Sequence, residues 1–154
     1  MVKKILFLHP SARKWDTKED IPAIARYDGE QFKIVRYYVP QIDEIFILTG
    51  KYGLITARTK IPIYKWDEDL LPRDTNIKIW NKHNIVRPFE KWNKYDLELS
   101  AFMPQGWFTI LQNALPHKIT FIPDYPTFTT YCIEYQATAP IPPWWTKDTP
   151  SPKK

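Results

Sequence analysis

Apolar residues in this chain cluster into short runs of strand length, separated by stretches where they recur at helical spacing. Lys3 to Leu8 is one such run, and it ends at His9-Pro10-Ser11, where proline forbids further pairing. Ile42 to Thr49 (IDEIFILT), bounded by Pro40 and Gly50, is the strongest strand signal, and its apolar character on both faces predicts a central, parallel strand. Between them, Ile24, Tyr27, Phe32, Val35 and Tyr38 fall near helical spacing but are interrupted by Gly29, which predicts a helix over Glu30 to Tyr38 preceded by an ordered loop. Strand, helix and strand in that order make a βαβ unit with a right-handed crossover. Such units collect ligands at the carboxyl ends of their strands, so His9-Pro10-Ser11 and Thr49-Gly50-Lys51-Tyr52-Gly53 should share one edge.

The second half repeats the theme after a less legible stretch. Residues 56–94 are basic, polar and rich in tryptophan, carry the acidic triplet Asp67-Glu68-Asp69, and hold a candidate helix over Thr75 to Asn84. This stretch is an insertion, a lid or part of the core. Tyr95 to Ala101 predicts a third strand, Trp107 to Ala114 a helix with Trp107, Ile110, Leu111 and Ala114 on one face, and Lys118 to Ile122 a fourth strand. The predicted fold is α/β, a three-layer sandwich with a mainly parallel central sheet. One domain is expected over residues 1–126, and beyond Pro126 the pattern decays into an irregular proline-rich extension, 127–154. Trp144 and Trp145 stand out there, since paired tryptophans imply docking on the chain itself or on a partner.

Composition narrows the setting. The length of 154 residues suits one core, and the single cysteine, Cys132, excludes an internal disulfide. No Cys/His spacing resembles a zinc site, so neither a structural metal nor a cofactor is expected. No apolar run approaches the length of a membrane span, which points to a cytoplasmic protein. A net charge of +5 suits a phosphate-bearing partner as well as it suits a merely soluble, lysine-rich surface.

The segment Leu48-Thr49-Gly50-Lys51-Tyr52-Gly53-Leu54-Ile55, followed by Ile61-Pro62-Ile63-Tyr64 and Asp67, is the most informative motif. Two glycines three apart after a buried strand allow close backbone approach, and the lysine between them can reach a phosphate or carboxylate. The spacing is neither a P-loop nor a dinucleotide fingerprint, and a glycine-bearing turn leaving the sheet produces the same pattern.

This string, with Pro22-Ala23 and Tyr27 ahead of the helix, resembles a family of small uncharacterised domains from bacteria, archaea and their viruses. The family's hallmark is a strand ending in Ser-Ala-Lys-Tyr-Gly-Leu followed by Ile-Pro-x-Tyr. It is distantly similar to uracil-DNA-glycosylase-like and YaaA-like α/β proteins and to domains accompanying deazaguanine-modifying enzymes. The resemblance implies a base-handling pocket with Lys51, Tyr52, Gly53, Tyr64 and Asp67 at matching positions. Thr49-Gly50 stands where the family has Ser-Ala, and His9-Pro10-Ser11 where its first strand carries a cysteine.

The expected function is nucleic-acid or nucleotide handling, with glycosylase-like action on a nucleobase or N-glycosidic bond. Catalytic candidates are His9, Asp67 and Lys51. Asp67 would activate water, and His9 or Lys51 would donate to the leaving base. Ser11, Thr49, Gly50, Tyr52, Gly53 and Tyr64 are the candidate substrate-binding residues. The blander readings are a loop histidine before a proline and a solvated acidic turn. An alternative is a non-enzymatic nucleic-acid-binding or virus-host interaction module, in which rings such as Tyr37, Tyr38, Trp66, Trp80, Trp92 and Trp107 stack bases among Arg36, Lys65, Lys78, Arg87 and Lys91. Core packing with snorkelling cations gives the same composition. A further alternative, a metal-dependent nuclease, would draw on Asp67, Asp69 and Glu98.

Overall fold

The computed structural model describes residues 2–71, 74–136 and 141–145. The first half runs β1 (Val2–Leu8), β2 (Ile21–Pro22), α1 (Ala23–Arg26), α2 (Glu30–Tyr38), β3 (Glu44–Thr49), β4 (Gly53–Thr56) and β5 (Lys60–Ile61). A 3-10 turn, Trp66–Asp69, leads to α3 (Asp74–Asn81), a π-helical turn (Lys82–Val86) and α4 (Arg87–Phe89). After a second 3-10 turn, Glu90–Lys94, come β6 (Asp96–Phe102), α5 (Gln105–Ala114), β7 (Ile119–Phe121) and α6 (Tyr125–Glu134).

Five strands form the central sheet in the order β4-β3-β1-β6-β7, and β2 pairs with β5 in a separate two-stranded ribbon. β3, β1, β6 and β7 are parallel, whereas β4 turns back antiparallel on β3. The expected three-layer α/β sandwich with a mainly parallel sheet is therefore the observed architecture. Alternation along the strands supplies two cores. Leu6, Leu8, Ile45 and Ile47 face α2 and α6, packing with Phe32, Val35, Phe128 and Trp144. Ile5, Phe7, Phe46 and Leu48 face the other side and pack with Ile85, Phe89 and Leu111. The stretch 56–94 thus contributes buried side chains to a core.

Local chemistry explains the boundaries. Gly29 precedes α2, Glu30 places a carboxylate on its first turn, and Pro40 follows its end. Residues beyond Pro126, expected to be irregular, continue α6 to Glu134. Proline is tolerated in a first helical turn, and the Asp124 carboxylate caps the helix by accepting from the Thr127 amide at 2.8 Å. Trp144 is fully buried in the first core, with its Nε1 donating to the Pro40 carbonyl at 2.9 Å. The remainder of the expected tail, with Pro140, Pro150 and Pro152, lies outside the described residues. Among the described residues no helix is long and apolar enough to cross a membrane.

Because α2 covers one face between β1 and β3 while α5 covers the other between β6 and β7, the winding reverses between β1 and β6. Such a reversal is where open α/β sheets usually receive ligands, at the carboxyl ends of the strands.

Candidate functional site

Two loop systems occupy the carboxyl edge of the sheet. His9 follows β1 directly and faces the start of α5, with its ring 6.0 Å from that of Trp107. Burial holds its pKa down at about 4, with a hydrogen bond to the Phe102 backbone acting weakly against that fall, so the imidazole is neutral at neutral pH. Its Nδ1 is buried and has no hydrogen-bond partner among the described residues. Gln31 Nε2 donates to the His9 carbonyl at 3.2 Å. The Ser11 hydroxyl is used within the loop, donating to the Arg13 carbonyl at 2.6 Å and accepting from the Gly29 amide at 3.1 Å.

The loop after β3 is internally closed. Thr49 Oγ1 donates to the Gly53 carbonyl at 3.0 Å and accepts from the Tyr52 amide at 2.8 Å, folding the chain back into β4. Both glycines are required by close approach. A Cβ on Gly50 would lie 2.0 Å from the Asp69 carbonyl oxygen, and one on Gly53, whose φ is 75°, would lie 2.5 Å from that of Asn84. The Lys51 ammonium is ion-paired with Glu68, and the Tyr52 ring meets Tyr64 edge-on at 5.6 Å.

Behind this loop runs a buried chain of hydroxyls ending in a carboxylate. Tyr27 and Tyr64 share a hydrogen bond between their hydroxyls, and Tyr64 donates onward to Asp69, 2.8 Å from Oδ2 and 3.0 Å from Oδ1. Asp69 also accepts from the Lys51 amide at 3.2 Å. Burial raises the Asp69 pKa, with the hydrogen bonds from Tyr64 and from the amides of Lys51 and Gly50 opposing it, and burial likewise raises those of both tyrosines. Lys14 sits over this chain, its Nζ 4.4 Å from the Tyr64 ring centroid and 3.1 Å from the Ser11 carbonyl. Desolvation lowers the Lys14 pKa, against the attraction of Asp69 and Glu68.

Lys14 and Tyr64 open onto a cleft of about 390 Å³ that Asp16, Lys65, Trp66 and Asp67 also line. Trp66 is 62% exposed on it, an unusual state for an indole. The cleft's two walls are stapled together by Arg26, which is fully buried. Its guanidinium donates to the carbonyls of Trp15 (2.6 Å), Thr17 (3.1 Å) and Glu19 (2.6 Å) on one wall and of Ile61 (3.2 Å) at the base of the other. The rigid fork of donors suits this role in a way a lysine would not match.

A second concavity of about 280 Å³ lies on α3 and the π-helical turn, lined by Asn76, Ile79, Trp80, His83 and Asn84.

The structure therefore brings Lys51, Tyr52 and Tyr64 together around Asp69, and puts Asp67 on the neighbouring cleft. His9 has different neighbours, and no described contact joins it to Lys51 or Asp67. Glu98 lies early in β6, before the first pairing with β7 at Leu99, and stays exposed, accepting from the Tyr135 hydroxyl at 2.6 Å. Among the described residues no three or more His, Cys, Asp or Glu side chains are grouped to hold a metal. Of the expected stacking rings, Trp66 and Tyr37 are exposed, Tyr38 packs partly against the first core, and Trp80, Trp92 and Trp107 against the second. Arg26 and Lys14 went unnoticed in the sequence. An arginine inside Ala23-Ile24-Ala25-Arg26-Tyr27 was the available signal, since a cation in an apolar run must be fully hydrogen-bonded. No protein-family model, curated protein or solved structure matches the chain.

Proposed function

We propose that the chain is a nucleic-acid- or nucleotide-binding protein that seats one unpaired base in the cleft beside Trp66. The observation carrying this reading is the exposed Trp66 indole on a concave, Arg26-stapled surface that Lys14 and Lys65 also line. An exposed ring supplies a stacking platform of about 1–3 kcal/mol per base, and nearby ammonium groups neutralise the backbone phosphate. Because both walls are held before any ligand arrives, little ordering cost opposes binding. The overall charge of +5 favours the same class of partner.

The test is fluorescence anisotropy of labelled single- and double-stranded DNA and RNA over a salt series. Single strands should bind more tightly than duplexes. Trp66→Ala should weaken binding by roughly five- to a hundredfold, the equivalent of one stacked base. Lys14→Ala should lower both the affinity and the salt slope. Equal binding of duplex and single strand, or an unaffected Trp66→Ala variant, would overturn the reading.

A second reading, hydrolysis of an N-glycosidic bond, is favoured by the position of Asp67 on the same cleft. There the carboxylate would take a proton from a water attacking the sugar carbon while the C–N bond breaks and the base leaves with its electron pair as an anion, to be protonated from solvent. His9, neutral at neutral pH, does not serve as the general acid in this scheme. Release of free base by the wild type, lost in Asp67→Asn while binding persists, would establish this chemistry.

A further inference from the structure

We infer that the Trp66 cleft is one end of a track for a single strand several nucleotides long, running over Lys51–Gly53 to the groove on α3. This rests on the base-binding reading above and extends it to a second contact region. The two glycines of the loop after β3 mark the connection. Gly50 is pressed against the Asp69 backbone, at the end of the 3-10 turn carrying Trp66 and Asp67. Gly53 is pressed against Asn84, which lines the groove. Only Lys51 and Tyr52 separate the two glycines, three Cα steps that span at most about 10 Å, so the backbone at Asp69 and at Asn84 meets the two ends of one short bridge. Ordinary side chains at either glycine would hold the concavities apart.

The groove offers the same kind of chemistry as the cleft. Its five lining residues recur three and four apart and so share one face of the helix. Ile79 is 65% exposed, and Trp80 adds a ring that only partly packs inward. Asn76, Asn84 and His83 supply donors and acceptors suited to base edges. Exposed Lys82 adjoins His83 in the chain, whereas Lys78, two positions from Asn76 and from Trp80, falls on the opposite face of the helix. On the bridge itself Lys51 is already paired with Glu68, and the lysines lining the cleft, Lys14 and Lys65, stand beside Asp16 and Asp67. Two ring-bearing sites joined by a short bridge suit unstacked bases on a flexible backbone. They do not suit a duplex, whose bases present no free face.

The experiment measures binding of the full chain to single strands from one to about ten nucleotides at fixed salt, for the wild type, Trp66→Ala and the double surface variant Lys82→Ala/His83→Ala. The wild-type affinity should rise in a step once the strand is long enough to reach the groove. The double variant should bind the longest strand about tenfold more weakly and leave the shortest ligands unchanged, whereas Trp66→Ala should weaken both. His83, which lines the groove, and its neighbour Lys82 are both exposed, so folding is not at stake. Short ligands that need Trp66 without any gain with length would overturn the track and leave the cleft reading intact. A total lack of nucleic-acid binding would overturn both. Equal, Lys82/His83-dependent binding of poly-glutamate would assign the groove to an acidic polypeptide and overturn the track.

Discussion

The loop after β3 and the region where β1 and β6 end lie at the same edge of one sheet, and they spend their polar groups in opposite ways. In the first, the side chains of Thr49, Lys51, Tyr64 and Asp69 are all engaged with one another or with nearby backbone. In the second, the His9 Nδ1 is buried and unmatched among the described residues. The first region is therefore a brace, in which residues that look like ligand-binding groups hold the wall of the Trp66 cleft. The second carries a standing desolvation cost, because its imidazole has been taken from water with an atom left unsatisfied.

The sharpest way to break this contrast is to strike the brace at Gly50. Gly50→Ala would place a methyl 2.0 Å from the Asp69 carbonyl oxygen and 2.2 Å from its carbon, and neither is the end of a flexible side chain. The expected loss is roughly 4 kcal/mol, at the upper end for a single substitution, read as a fall in the urea midpoint. A loss under about 1 kcal/mol would mean that the loop and the turn at Asp69 separate easily and do not act as a brace.

Next in size is the acid response of His9. Its pKa lies at about 4 in the folded chain against 6.5 for an ordinary histidine. Between these values the unfolded chain binds a proton that the folded chain does not, so stability falls as the pH is lowered through that window. The full effect is about 3 kcal/mol. Urea titrations at pH 7 and pH 4 should show it, and His9→Gln should remove most of it. An NMR titration placing the His9 pKa near 6.5 would sink the argument.

Asp69 sharpens the comparison because its sign is reversed. Burial raises its pKa, so the folded chain keeps the proton to a higher pH than the unfolded one. Its contribution to stability therefore falls as the pH rises through the region just above ordinary carboxylate values, and returns as the pH drops. Glu44, buried in β3, has a raised pKa for the same leading reason and acts in the same direction. Asp69→Asn should cost about 2 kcal/mol at neutral pH, since the amide's NH₂ group would face backbone N–H donors. It should also steepen the acid loss, because one contribution opposing His9 has gone. Unchanged steepness in the variant would show that Asp69 is not the opposing group.

Part of this organisation was legible in the sequence, and the reasons differ by element. The helix Glu30–Tyr38 and the strand at Glu44–Thr49 could be read because a local period and flanking glycine and proline agree. β4 could not, because Gly53 to Thr56 is short and becomes a strand only through the turn that Thr49 Oγ1 closes. α6 was hidden because the apolar pattern decays beyond Pro126, a residue that sits in a first helical turn. Within Asp67-Glu68-Asp69 nothing in the spacing distinguishes the three carboxylates. Burial of Asp69 and exposure of Asp67 follow from the approach of Gly50, a contact distant in sequence. The loop after β3 was found as a motif, but its role as a brace depends on Tyr27 and Asp69, which no local pattern links to it.

The smallest expected effect is the same glycine-to-alanine change moved to the other region. Gly106 lies in the first turn of α5, next in the chain to Trp107, whose ring meets that of His9, and a Cβ there would meet nothing within 4 Å among the described residues. Alanine limits the unfolded chain more than glycine and favours the helix, so Gly106→Ala should stabilise the protein by about 0.5 kcal/mol. One substitution is thus expected to change sign between a loop and a helix start at a single sheet edge, because only the loop is packed against a second backbone. A destabilising Gly106→Ala would mean that the start of α5 is as tightly enclosed as the brace, and the contrast between the two regions would collapse.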